Sequence, residues 1–232
     1  MTPSDTALAR HHVEKQVRTD TNGNLDISEH LHLLRLLAAH CSDGTVLECG
    51  VRTVVSTWAF LLGLADRKEN TTKLTLCDTV GPDPGQLQRL EGLSRTLNVA
   101  VDSVIGNDLQ VTFPLTQYGM VFIDTWHVYP QLKAELARFA DVATNVIVMH
   151  DTTVDATFGE SLRCGLNVPE QAKESGFSEE DIQRGLWPAV TEFLAEHSEW
   201  QVLIRLHNCN GLTVLCRTGV DRGQLRELLL GL

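Results

Sequence analysis

The stretch 120-MVFIDTWHVYPQLKAELARFADVATNVIVMHDTT-153 contains an apolar run, a helical pattern and a second apolar run. The first run ends in Asp124, and the second ends in His150 and Asp151. Strand–helix–strand units of this kind build parallel sheets whose strands are covered on both faces, which explains why polar residues do not alternate along the runs. The stretch therefore predicts a doubly wound α/β domain with polar groups at one edge of its sheet.

The same alternation extends over most of the chain. The final two apolar runs are joined by a short turn containing Asn210-Gly211, a strong signal for a β-hairpin. We therefore expect a sheet of seven strands, mostly parallel and closing in an antiparallel hairpin, with helices on both faces. The predicted strands are 45–49, 73–77, 101–105, 120–123, 146–149, 202–206 and 212–216, and the predicted helices are 26–41, 56–65, 84–97, 130–140 and 188–197.

No internal repeat or Pro/Gly linker divides the 232 residues, so we expect a single domain, 1–232. Residues 1–44 are predicted to form an N-terminal helical cap. The segment 152–187 is too long for an ordinary connection, and it follows a strand end that carries polar groups. This segment is predicted to be a lid insertion. The alternative is a variable surface loop without a role in the site. It offers Arg163, Arg184 and Trp187 as candidates for contact with a substrate.

Composition restricts the classes of partner. The formal net charge is −11 and the sequence pI is about 5.2, which argues against a nucleic acid or a membrane as the main partner. No apolar run approaches the roughly 20 residues that span a bilayer. The six cysteines form no CxxC pair, and we expect reduced thiols in a cytoplasmic protein. Assembly into a homo-oligomer stays open.

The stretch 45-TVLECGVRTVVSTWAFLLGL-64 reads as strand, loop and helix. Gly50 permits a tight turn, and Ser56 and Thr57 can cap a helix whose free N–H groups attract a negative group. Glu48, at the strand end, is placed to bind a cation or a hydroxyl. Only one glycine of the GxGxxG motif is present, which argues against NAD or FAD. A cofactor with a small zwitterionic end fits better. The alternative is a strand–turn–helix connection that binds no ligand.

These residues resemble class I S-adenosylmethionine-dependent methyltransferases. The segment 48-ECGVRTVVS-56 is similar to the E-x-G-x-x-x-G-x-S pattern of the catechol O-methyltransferase group, except that Val54 replaces its second glycine. The resemblance implies a Rossmann-like fold and S-adenosylmethionine (SAM) as the cofactor. It places Glu48, Gly50, Val51, Arg52, Ser56 and Thr57 around the methionine part of the cofactor, Asp78 on the ribose hydroxyls and Asp108 near the adenine.

Asp124 and Asp151 end what should be neighbouring strands, where ligands of open α/β sheets bind. Two carboxylates in close contact repel each other unless a cation lies between them, and oxygen ligands favour Mg²⁺, Ca²⁺ or Mn²⁺. The arrangement resembles metal-dependent O-methyltransferases, including catechol, macrolide sugar and cephalosporin-hydroxylase-like members. The resemblance implies a metal site of Asp124, His150 and Asp151, with Mg²⁺ as the first choice and Mn²⁺ or Fe²⁺ as alternatives; Thr152 is an alternative to His150.

His127 lies three residues after Asp124, at the position where these enzymes carry a lysine or histidine base. The resemblance implies that His127 and Asp124 are catalytic, with the imidazole as general base. The competing interpretation is that His127 packs against Trp126. The resemblance thus implies an O-methyltransferase acting on a hydroxyl of a small molecule or sugar. A hydroxylase-like metalloenzyme and a non-catalytic SAM-binding protein are the alternatives.

Overall fold

The computed structural model describes residues 2–23, 25–67 and 71–220. Within these residues one seven-stranded sheet has the order β3-β2-β1-β4-β5-β7-β6. Strands β1 to β5 pair in parallel, and β7 is antiparallel to both of its neighbours, which confirms the predicted fold class. The strands are β1 Thr45–Cys49, β2 Thr72–Asp78, β3 Val99–Ile105, β4 Tyr118–Ile123, β5 Ala143–His150, β6 Trp200–Leu206 and β7 Leu212–Arg217. The last part of the predicted domain, 221–232, lies outside the described residues.

Helices cover both faces of the sheet. One apolar cluster joins the sheet to the four N-terminal helices, and a second cluster on the other face holds α5 and α9. The helices are α1 Pro3–Thr21, α2 Leu31–His40, α3 Val55–Asp66, α4 Pro84–Thr96, α5 Tyr129–Phe139, α6 Glu160–Arg163, α7 Val168–Ser175, α8 Glu179–Gln183 and α9 Leu186–Glu196, with a short 3-10 helix at Ser28–His30. No helix among the described residues combines the length and the apolar character needed to cross a bilayer.

The topology creates a crevice at one edge of the sheet. The chain leaves β1 through α3 on one face and leaves β4 through α5 on the other face, although β1 and β4 are neighbours. A reversal of this kind opens a binding site at the carboxyl ends of the two strands. Cys49 pairs in register with both Cys77 and Ile123, so the residues that follow these three strands reach the same edge.

The segment after β5 folds back over this edge. Phe158 forms an isolated antiparallel bridge with Arg184, and the backbone N–H of Glu160 donates to the carbonyl of His127 at 2.9 Å. The backbone N–H of Tyr129 donates to the carbonyl of Arg184 at 3.0 Å. The segment is therefore joined by backbone hydrogen bonds to the loop and helix that follow β4.

Helix α3 is buried from Ser56 to Leu64, because the sheet covers one side and α1 and α2 cover the other. Gly63 allows α2 to approach closely. A Cβ atom at this position would lie 2.2 Å from the backbone oxygen of Arg35 and 2.9 Å from the Cβ of Ala38. The missing side chain therefore sets the distance between the two helices.

Replacement of Gly63 by alanine is expected to destabilise the protein by about 1–3 kcal/mol, because the added methyl group forces the two helices apart. The matched control is Gly92→Ala in α4, where a Cβ atom meets nothing within 4 Å. That change should stabilise the protein by up to about 1 kcal/mol, since alanine favours helix. Chemical unfolding measures both values, and equal effects at the two positions would contradict this account of the packing.

Candidate active site

A cavity of about 620 Å³ opens at the carboxyl ends of the parallel strands. Its volume falls in the range of roughly 300–1,000 Å³ that is typical of small-molecule sites. Nine of the residues singled out from the sequence line it: Gly50, Val51, Arg52, Ser56, Asp78, Asp108, Asp124, His127 and Asp151. Glu48, Thr57 and His150 are not part of its lining.

Gly50 brings two loops into contact at the centre of the edge. Its φ is +85°, and a Cβ atom there would lie 1.8 Å from the backbone oxygen of Asp124. The backbone N–H of Asp124 in turn donates to the carbonyl of Cys49 at 2.9 Å. Glycine is required here for the approach of the Asp124 loop, in addition to the tight turn that the sequence predicts.

Glu48 lies beneath the loop and is fully buried. The hydroxyl of Ser56 donates to one of its carboxylate oxygens, and Thr57 Oγ1 donates to the other at 2.8 Å. The expected capping of α3 by Ser56 and Thr57 is therefore wrong: the helix has no side-chain cap, because Glu48 takes both hydroxyls. Burial raises the pKa of Glu48 to about 8, against the opposing effect of these hydrogen bonds.

Asp78 holds the loop in place from the neighbouring strand. Its Oδ2 accepts the backbone N–H groups of Val51 at 2.8 Å and Arg52 at 3.0 Å. Its Oδ1 accepts those of Val80 at 3.0 Å and Gly81 at 3.4 Å. Burial opposes ionisation of Asp78, but the backbone donors outweigh it and lower its pKa. Both oxygens are thus engaged within the chain, and the ribose role of Asp78 stays a prediction.

Val54 occupies the position where the sequence departs from the methyltransferase pattern. It has φ +58° and ψ 25°, the left-handed conformation that glycine adopts without strain. A β-branched residue in this region is unusual. The side chain is buried in the apolar cluster, where packing holds the conformation. Val54 therefore adopts the backbone conformation that a glycine at this position would adopt.

Asp108 is buried in the wall of the cavity, beside α5. Gln131 Nε2 donates to Asp108 Oδ1 at 3.2 Å and to Glu135 Oε1 at 2.8 Å, and the hydroxyl of Thr125 also donates to Glu135. Burial and the neighbouring Asp108 raise the pKa of Glu135 well above its ordinary value, and burial also raises the pKa of Asp108. Glu135 and Asp108 are therefore two buried acids on either side of Gln131, in surroundings that oppose their ionisation.

His127 is surrounded by carboxylates. Its Nε2 lies 3.1 Å from Oδ1 of Asp124. Its Nδ1 lies 3.1 Å from Oδ2 of Asp151, 3.5 Å from Oδ2 of Asp155 and 2.9 Å from Oε2 of Glu160. Burial opposes a charge on the ring, but the hydrogen bonds to Asp124, Asp155 and Glu160 outweigh it and raise the pKa of His127 well above its ordinary value. Four carboxylates thus surround one imidazole.

His150 lies behind this cluster. Its Nε2 is 3.1 Å from the backbone oxygens of Asp26 and Cys209, and its Nδ1 is 3.4 Å from Asp124 Oδ1 and 3.3 Å from Asp151 Oδ2. Burial opposes its protonation, but the two carboxylates outweigh this and raise the pKa of His150 to about 10. The ring therefore supports the two acids from within the protein and does not face the cavity.

Asp155 and Glu160 are the site residues that sequence reasoning missed. Asp155 is completely buried and accepts from Arg163 Nε at 2.5 Å and Nη2 at 3.0 Å, whereas Glu160 lines the cavity. Both belong to the predicted lid, where no strand or helix period indicates which acids point inward. The only signal in the sequence was that both follow Asp151 closely in the chain.

The proposed acceptor contacts of the insertion lie elsewhere. The guanidinium of Arg184 stacks 3.5 Å above the ring of Tyr129, and that of Arg205 stacks 3.4 Å above Trp187. Arg163 binds Asp155, as described above. Arg163, Arg184 and Trp187 are absent from the cavity lining, so the interpretation of these three residues as acceptor contacts is not supported.

No protein-family model and no curated protein matches this sequence. Solved structures match the fold. The O-methyltransferase TomG from Streptomyces achromogenes, involved in tomaymycin synthesis and solved with SAM, is 17% identical with a TM-score of 0.55 over 91% of this chain and 90% of its own. The O-methyltransferase from Bacillus cereus, solved with S-adenosylhomocysteine (SAH), is 14% identical with a TM-score of 0.54 over 90% of each chain. A Corynebacterium glutamicum protein is 20% identical with a TM-score of 0.54 over 94% and 91%. The chain therefore has the Rossmann-like fold of class I O-methyltransferases.

Glu48 predicts a pH dependence of stability. Its pKa rises from 4.5 to about 8 in the folded state, so between these values the folded protein keeps a proton that the unfolded chain releases. The free energy of unfolding should therefore fall as pH rises, by at most about 1.4 kcal/mol per pH unit for this group. Glu48→Gln removes this contribution. Urea unfolding from pH 5 to pH 8 measures the difference between the two proteins; a constant difference would contradict the burial of an ionisable Glu48.

Proposed function

We propose that this protein is a SAM-dependent O-methyltransferase that acts, with a divalent metal, on a hydroxyl of a small molecule or sugar. The observation that carries the proposal is one continuous cavity, lined by the Gly50 loop as well as by Asp124, His127 and Asp151. A donor and an acceptor bound in this cavity would lie side by side. The fold is compatible with this function, and the function itself rests on the geometry of the site.

The residues of the cavity fit the cofactor. The cavity has a volume of about 620 Å³, which accommodates a ligand of this size class. The methionine part of the cofactor would be held by Gly50, Val51, Arg52 and Ser56. Asp108 would lie at the adenine end. Glu48 and Thr57 do not line the cavity. They would act indirectly, because their hydrogen bond lies beneath the Gly50 loop that forms the cavity wall.

The acids at the sheet edge fit a divalent metal. Asp124, His127 and Asp151 each offer a ligand atom, and these atoms lie within 4.8 Å of one another. Asp151 Oδ1 is buried and has no hydrogen-bond partner, an arrangement that is costly unless another ligand satisfies the oxygen. Asp124 and Asp151 would therefore hold the metal, and His150 would orient both carboxylates through its Nδ1.

The remaining chemistry belongs to the side chains of this protein. When bound, a divalent cation lowers the pKa of a coordinated hydroxyl and neutralises the acids that otherwise hold a proton on His127. His127 accepts the hydroxyl proton at Nε2, the ring atom next to Asp124. Glu160 and Asp155 keep the ring in position through Nδ1. The walls of the cavity hold the acceptor oxygen in line with the methyl group, and such positioning is worth roughly 7–11 kcal/mol.

The acceptor is proposed from the polarity of the site. Carboxylates dominate its ionisable lining, which suits a neutral or hydroxyl-rich acceptor better than an anionic one. The net charge of −11 gives no support to a nucleic-acid partner. A cytoplasmic location stays a prediction from cysteine usage.

Calorimetric titration with SAM tests the cofactor assignment. We expect saturable binding of SAM and SAH at one site per chain. The release of SAH with a panel of catechols and methyl glycosides then tests methyl transfer. Absence of SAM binding would reject the proposed function.

His127→Ala should lower turnover about 10²–10⁴-fold, the usual contribution of a general base, and leave the dissociation constant of SAM nearly unchanged. Steady-state kinetics and calorimetry on the same preparation separate the two quantities, and circular dichroism checks the fold. Parallel losses in turnover and SAM affinity would argue that His127 has only a structural role.

Asp124→Asn should remove the response of the enzyme to a chelator, because the substitution takes away a proposed metal ligand. The wild-type protein is expected to lose activity in EDTA and recover it with Mg²⁺. If the Asn variant keeps the chelator sensitivity of the wild type, the metal binds elsewhere.

A further inference from the structure

An ion pair joins two walls of the cavity. Arg52 Nη2 lies 3.3 Å from Oδ2 of Asp26, and both residues line the cavity. Asp26 belongs to the segment 25–27 of the N-terminal region, all of which lines the cavity, whereas Arg52 belongs to the Gly50 loop. The pair therefore connects two parts of the site that are 26 residues apart in the chain.

This ion pair opens at little cost. The side chain of Arg52 is 77% exposed and that of Asp26 is 42% exposed. An ion pair in contact with water contributes little to stability, because water screens both charges and the long side chains lose freedom in forming it. When the two side chains separate, they present one positive and one negative group to the same cavity. A ligand that carries both charges can therefore replace each partner.

Arg52 is the only arginine or lysine among the described residues that line the cavity. The other basic group of the lining, His127, has a carboxylate beside each of its ring nitrogens. A guanidinium carries planar donors that match a carboxylate in two-pronged geometry. Arg52 is therefore the side chain of the cavity that is placed to bind an anionic group.

Several hydrogen-bond donors beside Arg52 are already used within the chain. The backbone N–H groups of Val51 and Arg52 donate to Asp78, at 2.8 Å and 3.0 Å. The hydroxyl of Ser56, another residue of the lining, donates to the buried Glu48. A ligand carboxylate next to this loop therefore draws its positive charge from the guanidinium of Arg52.

Asp26 differs from the other acids of the lining. Those acids are bound by donors elsewhere in the site: Asp78, Asp108, Asp124, Asp151 and Glu160. The carboxylate of Asp26 binds only Arg52 within the described part of the chain. Its backbone carbonyl accepts from His150 Nε2 at 3.1 Å, which holds the segment 25–27 at the sheet edge. Asp26 is therefore a fixed negative group whose only partner can be exchanged for a ligand cation.

We infer that the Arg52–Asp26 ion pair opens to receive the zwitterionic amino-acid end of the cofactor, with Arg52 on its carboxylate and Asp26 on its ammonium group. The inference rests on the proposed function and makes the segment 25–27 part of the cofactor site. Each charge of the protein exchanges one partner for another, so no charge is left unpaired. A nucleoside without the amino-acid end gains nothing from this exchange, and the pair therefore selects ligands that carry both charges.

The test is calorimetric titration of the full-length protein with three probes. SAH carries both charges, its decarboxylated analogue keeps only the ammonium group, and methylthioadenosine lacks the amino-acid end. In Arg52→Met, the affinity for SAH should fall at least about tenfold, because the ligand carboxylate loses its charged partner. The affinities for the decarboxylated analogue and for methylthioadenosine should stay within about threefold of the wild-type values.

Asp26→Asn gives a different pattern. The affinities for SAH and for the decarboxylated analogue should both fall at least about fivefold, because both probes carry the ammonium group. The affinity for methylthioadenosine should stay within about threefold of the wild-type value. The two variants thus assign the two charges of the ligand to separate side chains.

Two substitutions control for the loss of one charge. Arg95→Met removes an exposed arginine from α4, and Glu174→Gln removes an exposed acid from α7; neither residue lines the cavity. Each should change the affinity for all three probes by no more than about threefold, because exposed charges are screened. A loss of SAH affinity in Arg95→Met equal to that in Arg52→Met would overturn the inference in favour of a general charge effect.

The outcomes separate this inference from the proposed function. Wild-type affinity for SAH in Arg52→Met or in Asp26→Asn would overturn the inference and leave the proposed function intact. An equal loss of affinity for SAH and methylthioadenosine in either variant would also overturn it, because the loss would then not depend on the amino-acid end. If the wild type binds neither SAM nor SAH, the proposed function fails and the inference fails with it.

Discussion

The crowding of four carboxylates around His127 is the constraint on which the site depends. Asp124, Asp151, Asp155 and Glu160 come from two strand ends and an insertion, and all contact one imidazole. Acids at this distance repel each other strongly unless positive charge lies among them. The protein supplies positive charge through Arg163, His150 and His127, and in the proposed function a divalent cation adds to it.

The second constraint is the approach of the Gly50 loop to the Asp124 loop. Hydrogen bonds to Asp78 hold the backbone of the Gly50 loop, and the buried Glu48 binds Ser56 and Thr57 below it. Because a Cβ atom at position 50 would clash with the Asp124 carbonyl, the two loops form one unit. This contact brings the Gly50 loop and the acidic residues that follow β4 into the same cavity.

The architecture was predictable because the strands appear in the sequence as short apolar runs between helical patterns, and those of β2, β4 and β5 lead into Asp78, Asp124 and Asp151. The rule that ligands bind at the carboxyl ends of parallel strands then brings Asp124, His127 and Asp151 together. The local tasks of Glu48 and Asp78 were not predictable, since they depend on which backbone and hydroxyl groups face them in three dimensions. For the same reason Glu160 was missed, as it lies in a segment without a regular period.

The most direct test of the central claim is a crystal grown with Mn²⁺ and SAH, with the metal located by anomalous scattering. The account predicts one strong anomalous peak in contact with the carboxylates of Asp124 and Asp151, in the same cavity as SAH. A metal peak remote from these two side chains, or SAH bound outside the cavity beside Gly50, would contradict it.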